Sequence, residues 1–280
     1  MYSFHLGTFR NAELFIVHSS LFIIIEVMNF YQLSFGVFGL KIYGIFLSIA
    51  FVIALWYFYK TIQRKDFPMD FFRHYFWKWL IGGLIVGRIV AVLLNPDIVA
   101  QHGIFALIAF WDGTVHFWGV FVGFLGTMWW TLRDQKVSLL RWLDQMVLPF
   151  LLGILIVDIA AFLTGTIYGS ETILPWGIQY ETFGVDILNP THPVSMYAFI
   201  AHLILYSWVH RHLFLADKFV GRLTFWAGVA FFGIDFLLQF CRGDSTLFLF
   251  GMIRIEQVLD FGMLIFFLLW YRGLLPMKKV

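Results

Sequence analysis

The chain is written as long apolar runs separated by short polar breaks. Clear runs cover 37–59, 80–94, 146–163, 194–209, 223–240 and 258–271. Another, 104–132, is long but broken by Trp111-Asp112-Gly113-Thr114-Val115-His116. A run of ~20 apolar residues is the length that carries a helix across a bilayer. The pattern therefore predicts an all-α, polytopic membrane bundle of about seven or eight transmembrane helices. A further apolar stretch, 14–30, carries His18 and Glu26 and either spans or lies at the interface. No signal-peptide cleavage pattern is visible at 1–10, so the first run is expected to stay as an anchor. No internal repeat or soluble domain is visible. The expected organisation is one integral membrane domain over 1–280, with an extra apolar element at 1–35, a core at 36–272 and a short basic tail at 273–280.

The periodicity stops between 163 and 194. Gly165, Gly169, Gly177 and Gly184 fall here with Pro175, Pro190 and Pro193. Gly and Pro at that density break helices. Tyr168, Trp176, Tyr180 and Phe183 are interspersed and supply packing surface that a disordered linker lacks. The expectation is a structured loop over 165–193, and long ordered loops usually carry function.

Composition reinforces the membrane reading. Apolar residues make up 61% of the chain and charged residues only 13%, against about 25% charged in a soluble domain. The basic residues cluster in alternate breaks: Lys60, Arg64, Lys65, Arg73 and Lys78; Arg133, Lys136 and Arg141; Arg211, Lys218 and Arg222; Arg272, Lys278 and Lys279. By the positive-inside rule these breaks and the C-terminus face the cytoplasm. The 165–193 loop has no Lys or Arg and is expected on the opposite side of the membrane. The single Cys241 rules out an intramolecular disulfide. Nothing suggests nucleic-acid binding.

Asp158 and Asp235 lie deep in apolar runs, where a bilayer penalises an aspartate by about 2.5–3.5 kcal/mol. Either they form a site, or each neutralises a buried cation or meets water at a span end. Arg88, inside the 80–94 run, is a candidate partner for one of them. His116 follows Asp112 by four residues, which would place both on one helical face. One His and one Asp are too few for a metal site, so no metal is expected. His192 precedes Pro193 and is expected to cap a helix or bond the loop. Gly119, Gly123 and Gly126 are expected to be helix-packing glycines.

Several stretches together resemble the prolipoprotein diacylglyceryl transferase (Lgt) family. Gly165, Tyr168-Gly169, Thr172, Leu174-Pro175-Trp176-Gly177, His192-Pro193 and Tyr197 resemble, in order, its Gly-x-x-[Trp/Tyr]-Gly turn, Leu-Pro-Trp-Gly loop and His-Pro re-entry. Tyr43-Gly44, Gly87-Arg88-Ile89, Trp111-Asp112-Gly113 with Gly119 and Gly123, and Gln239-Phe240-Cys241-Arg242 resemble further family segments. The resemblance covers about 37–269. It implies an inner-membrane enzyme that moves diacylglyceryl from phosphatidylglycerol onto a lipoprotein cysteine. It implies Tyr43, His116, Arg88 and Arg242 as catalytic positions, and Arg88, Gly169, His192 and Arg242 as lipid-binding positions. No cofactor is implied beyond phospholipid, as substrate or bound lipid.

The departures fall on the chemistry. Asp158 and Asp235 occupy positions where the family has arginines, and Ala161, Gln239, Trp118, Thr191 and Ala198 replace other family residues. A grip on a lipid phosphate needs cations. The expectation is a catalytically impaired, lipid-binding or structural membrane subunit that partners phospholipid, a lipoprotein precursor or other membrane-protein subunits. The alternatives are an active divergent transferase, or an aspartate-dependent intramembrane hydrolase using Asp158 and Asp235.

Overall fold

A computed structural model describes residues 32–35, 38–65, 67–109, 114–133, 138–182, 185–186, 189–213, 220–243, 248–249 and 253–270. The 14–30 run, Asp112 and the basic tail lie outside these residues. Eight α-helices carry the described chain: α1 (Ile42–Arg64), α2 (Met69–Leu94), α3 (Pro96–His102), α4 (Phe117–Leu132), α5 (Leu139–Thr164), α6 (Val194–Arg211), α7 (Arg222–Leu238) and α8 (Ile255–Leu269). Strands are confined to three antiparallel two-stranded ribbons, β1 (Gln32–Phe35) with β2 (Phe38–Lys41), β3 (Glu181–Thr182) with β4 (Val185–Asp186), and β5 (Phe248–Leu249) with β6 (Ile253–Arg254). The architecture is the all-α membrane bundle that the apolar runs predict. Helices α1, α2 and α5 are long and apolar enough to cross a membrane, and α4 is apolar over a shorter length. Apolar side chains stand exposed along them, among them Trp56, Leu93 and Val122. A water-soluble helix turns such residues inward, whereas a membrane helix offers them to lipid.

The chain forms two compact units, one of 1–56, 147–214 and 225–277, the other of 57–146, 215–224 and 278–280. The second unit holds an aromatic core. Trp142 and Trp79 are fully buried, Phe67 meets Trp142 edge-on at 4.8 Å, and Phe72 stacks on it at 6.1 Å. The Trp79 indole N–H donates to the Thr131 hydroxyl at 2.7 Å, so a buried donor is satisfied. Buried Asp144 receives the Gly221 and Thr224 N–H groups and the Thr224 hydroxyl, at 2.5, 2.8 and 2.6 Å. It thereby caps the start of α7, where helical N–H groups have no internal partner.

In the same unit α2 and α4 meet through glycines. A Cβ on Gly119 would stand 2.7 Å from the Gly87 Cα, and one on Gly123 would stand 2.5 Å from the Gly82 carbonyl oxygen. Both positions are therefore packing glycines, and small residues let the two backbones approach. Gly126 differs from its expectation, because nothing lies within 4 Å of its would-be Cβ.

The 165–193 segment is an ordered loop. Gly165 takes a left-handed turn at φ 63°. Ile178 and Thr191 exchange two backbone hydrogen bonds of 2.9 Å, and the Thr172 N–H donates to the Pro190 carbonyl at 2.8 Å. Tyr180 and Thr191 are buried beneath it, and burial pushes the Tyr180 hydroxyl pKa up. The Trp176 indole donates to the Tyr197 hydroxyl at 2.8 Å, which pins the Leu-Pro-Trp-Gly tip to the first turns of α6.

The glycine contacts set a test. Gly119→Ala is expected to cost about 1–3 kcal/mol by overpacking. Gly126→Ala is expected to be neutral or to stabilise by up to about 1 kcal/mol. Thermal unfolding of the detergent-solubilised protein measures both; equal effects would remove the close approach as the reason for Gly119.

Candidate functional site

The first unit contains an ionic group assembled from three helices, in which Asp158 and His202 are buried and the Asp235 side chain is 30% exposed. Asp158 comes from α5, His202 from α6 and Asp235 from α7. The His202 ring is 2% exposed. Its Nδ1 lies 2.8 Å from Asp158 Oδ2, and its Nε2 lies 3.5 Å from Asp235 Oδ1. The first is a short hydrogen bond; the second is an ion-pair distance, too long for a well-formed one. A carboxylate beside each ring nitrogen is the arrangement that an imidazolium, with N–H on both, satisfies. Phe231, one turn before Asp235 on α7, stacks on the ring at 5.1 Å and 20° and holds its plane.

The helical periodicity explains the placement. On α6 the buried side chains are Val194, Ser195, His202, Leu205 and Val209. Ser195, His202, Leu205 and Val209 repeat at the 7, 3 and 4 spacings of one helix face. His202 is the titratable residue on that inward stripe. The sequence nominates Arg88 as a candidate partner for one of the acids; the structure places His202 beside both. The 194–209 run looked apolar as a whole, which hid it. The signal available was the need itself, since two intramembrane aspartates require a cation. Arg88 belongs to the other unit. It is 1% exposed and donates to the Ala106 carbonyl and to the Thr114 carbonyl and hydroxyl, at 2.8, 2.8 and 2.5 Å.

An aspartyl hydrolase shares one water between two carboxylates. Here an imidazole ring stands between Asp158 and Asp235. The arrangement corrects the hydrolase alternative, because the space for the nucleophilic water is occupied by a side chain.

The other nominated residues fall into two sets. Half-buried Tyr43, at the start of α1, lies within electrostatic range of Asp158. Gly169, His192 and Arg242 converge in the same unit. The Gly169 N–H donates to the His192 carbonyl, the Ser170 N–H to the Cys241 carbonyl, the His192 N–H to the Ser170 carbonyl and the Gly243 N–H to the Tyr168 carbonyl, all at 2.9–3.0 Å. A Cβ on Gly169 would stand 2.6 Å from the His192 carbonyl oxygen, so only glycine permits this crossing. His192 also places its Nδ1 3.3 Å from the Tyr197 hydroxyl. It bonds the loop, as expected, but does not cap α6, whose N-cap is Pro193 with no side-chain cap. Arg242 lies within electrostatic range of Asp260 on α8, which in turn reaches Asp235. His116 lies in the other unit, immediately before α4, with extended backbone. The helix starts after it, and the expected pairing with Asp112 lies outside the described residues.

Arginine at positions 158 and 235 would hold an anion; aspartate reverses that. The Coulomb term between unit charges 4 Å apart is about 4 kcal/mol at an effective dielectric of 20, and here it is repulsive toward phosphate. Among the described residues no group of three or more His, Cys, Asp or Glu side chains is arranged to hold a metal ion.

Removing His202 leaves two acids facing each other inside the unit. His202→Ala is expected to cost about 3–5 kcal/mol, the loss typical of breaking a buried charge pair from one side. Adding Asp158→Asn and Asp235→Asn to that variant is expected to recover most of the loss. Unfolding midpoints in detergent measure the set; a His202→Ala protein as stable as the parent would show that the contact does not hold the helices.

Comparison with known proteins completes the picture. The sequence profile described as "Prolipoprotein diacylglyceryl transferase" matches residues 31–272. The phosphatidylglycerol–prolipoprotein diacylglyceryl transferase of Wolbachia sp. subsp. Drosophila simulans (strain wRi) is 24% identical over 253 residues, covering 88% of this chain and 94% of that protein. The protein of the same description from Wolbachia pipientis subsp. Culex pipiens (strain wPip) is 25% identical over 251 residues, with the same coverage. That of Haemophilus influenzae (strain PittEE) is 27% identical over 236 residues, covering 81% and 85%. With a match that spans most of its length and helices of membrane type, this chain belongs to the prolipoprotein diacylglyceryl transferase family.

Proposed function

We propose that this chain is a family member that has kept the membrane fold and the lipid-facing loop but not the transfer of diacylglyceryl from phosphatidylglycerol, and that it serves as a lipid-holding membrane subunit. The observation that carries this reading is the Asp158–His202–Asp235 group. By the family resemblance, arginines belong at 158 and 235. A phosphate approaching this group meets two carboxylates, and the imidazole between them is hydrogen-bonded to Asp158 and at ion-pair distance from Asp235. The proposed placement is the bacterial inner membrane, with the 165–193 loop on the periplasmic side and the C-terminus in the cytoplasm. Support comes from the alternation of the basic clusters.

A second reading has its own support. The relatives are described as transferases, and Tyr43, Gly169, His192 and Arg242 all lie in the unit that holds the acids. In that reading Tyr43 and Arg242, with Arg88 and His116, supply the chemistry of an active divergent transferase. The lipoprotein precursor is then a substrate; in the first reading the partners are other membrane-protein subunits.

One assay separates the readings. Purified protein is incubated with phosphatidylglycerol and a peptide bearing a lipoprotein cysteine, and the peptide is followed by mass spectrometry. The expected outcome is no diacylglyceryl adduct at any enzyme load, together with retained phospholipid in the purified protein. Adduct formation that scales with enzyme and disappears in Arg242→Ala would establish the second reading.

A further inference from the structure

The loop over 165–193 ends in an apolar tip that its own frame holds in the open. Ile173, Leu174, Pro175 and Trp176 are all exposed, Ile173 at 103% and Trp176 at 55%. Apolar side chains on a slack loop fold back onto the nearest core; here the backbone prevents it. The Gly177 N–H donates to the Leu174 carbonyl at 2.9 Å, which closes a four-residue turn with Pro175 in its second position. The Leu174 N–H donates to the Thr172 hydroxyl at 3.2 Å, and the Thr172 N–H to the Pro190 carbonyl at 2.8 Å. A Cβ on Gly177 would stand 2.8 Å from the Thr172 side chain and 2.9 Å from that of Pro190, so the base of the turn is closed. Behind the tip, exposed Asn189 donates its amide to the Glu171 carboxylate at 3.0 Å. The loop is thus apolar at its end and polar at its base.

Helix α6 says what meets the tip. One side of α6 is the buried stripe that carries His202. The other side exposes Ile200, Leu203 and Ile204, the last at 67%. Tyr197 stands three residues before Ile200 and seven before Ile204, at the head of that exposed stripe. In water such a stripe turns inward; in a bilayer it faces lipid. Ser207, exposed further along the same side, donates its hydroxyl to the Leu203 carbonyl at 2.8 Å and needs no water. The Trp176 indole donates to the Tyr197 hydroxyl at 2.8 Å. That bond sets the tip at the first turn of α6, where the lipid-facing stripe begins. A Trp and a Tyr at the end of a membrane helix settle at headgroup level.

We propose that Ile173, Leu174 and Trp176 enter the boundary between headgroups and acyl chains of the adjoining leaflet, as an interfacial anchor that continues the lipid-facing stripe of α6. The occupant is the lipid surface itself, and an apolar tip with a Trp at its edge is the chemistry that such a surface takes. The anchor also fixes the height of the loop. The Tyr197 hydroxyl that receives Trp176 stands 3.3 Å from His192 Nδ1, so His192 is held at headgroup depth with it. The inference goes beyond the proposed function and holds whether or not the chain transfers diacylglyceryl.

The test uses the full chain in phosphatidylcholine nanodiscs, with a spin label on single cysteines. Cys241→Ser removes the native thiol and keeps the backbone carbonyl that receives the Ser170 N–H. In that background Ile173→Cys and Leu174→Cys report the tip, and Asn189→Cys reports the polar base. Collisions with a water-soluble nickel chelate are expected to be lost at 173 and 174 and kept at 189. Collisions with oxygen, which concentrates among acyl chains, are expected to rise at 173 and 174. Two tip positions keep the test standing if one variant misfolds. Labels at 173 and 174 as open to the chelate as the label at 189 leave the tip in water, free for a soluble partner, and overturn the proposal. Protection that appears only in discs loaded with two or more chains assigns the tip to a second copy and overturns it as well.

Discussion

The contact of His202 with Asp158 and Asp235 is the constraint to which the first unit is built. Each residue comes from a different helix, and none is tolerable in an apolar interior without the others. A buried carboxylate that loses its partner is an uncompensated charge, so the group acts as an interlock between α5, α6 and α7. Such groups are weak sources of net stability and strong sources of specificity, since they reject every register that separates the charges. The stacking of Phe231 on the ring adds direction, because it holds the plane of the imidazole.

The same interlock determines what the neighbouring region can hold. The loop over 165–193 crosses the α7–α8 turn at Gly169 and Gly243, where backbones approach too closely for any side chain. That crossing brings Arg242 near the acids of α8 without turning the region basic. The Arg254 guanidinium is committed to the Arg242 carbonyl, and its backbone N–H to the Gln257 side chain. Family fold and family chemistry separate here: the scaffold is shared with transferases, while the local sign of charge is not.

The helix identities were legible because they depend on local pattern. Apolar runs, glycine and proline breaks and the aromatic content of the loop each report on one short stretch. The residues that failed were those whose role depends on rotation about a helix axis or on a partner far along the chain. Gly126 shares its spacing with Gly119 and Gly123, but nothing lies within 4 Å of its would-be Cβ. His116 was read as helical from its distance to Asp112, yet the helix begins one residue later. Arg88 was a reasonable counter-charge by composition, but its guanidinium is taken by carbonyls of its own unit.

By itself the sequence determined that the chain is a helical membrane protein, where the ordered loop lies, and that two aspartates sit at positions the family fills with arginine. These are properties of composition and spacing, and they survive without coordinates. Only the tertiary structure decided that His202, 44 residues from Asp158 and 33 from Asp235, lies between them. Pairing across helices is set by how faces rotate and pack, and a one-dimensional pattern does not contain that rotation.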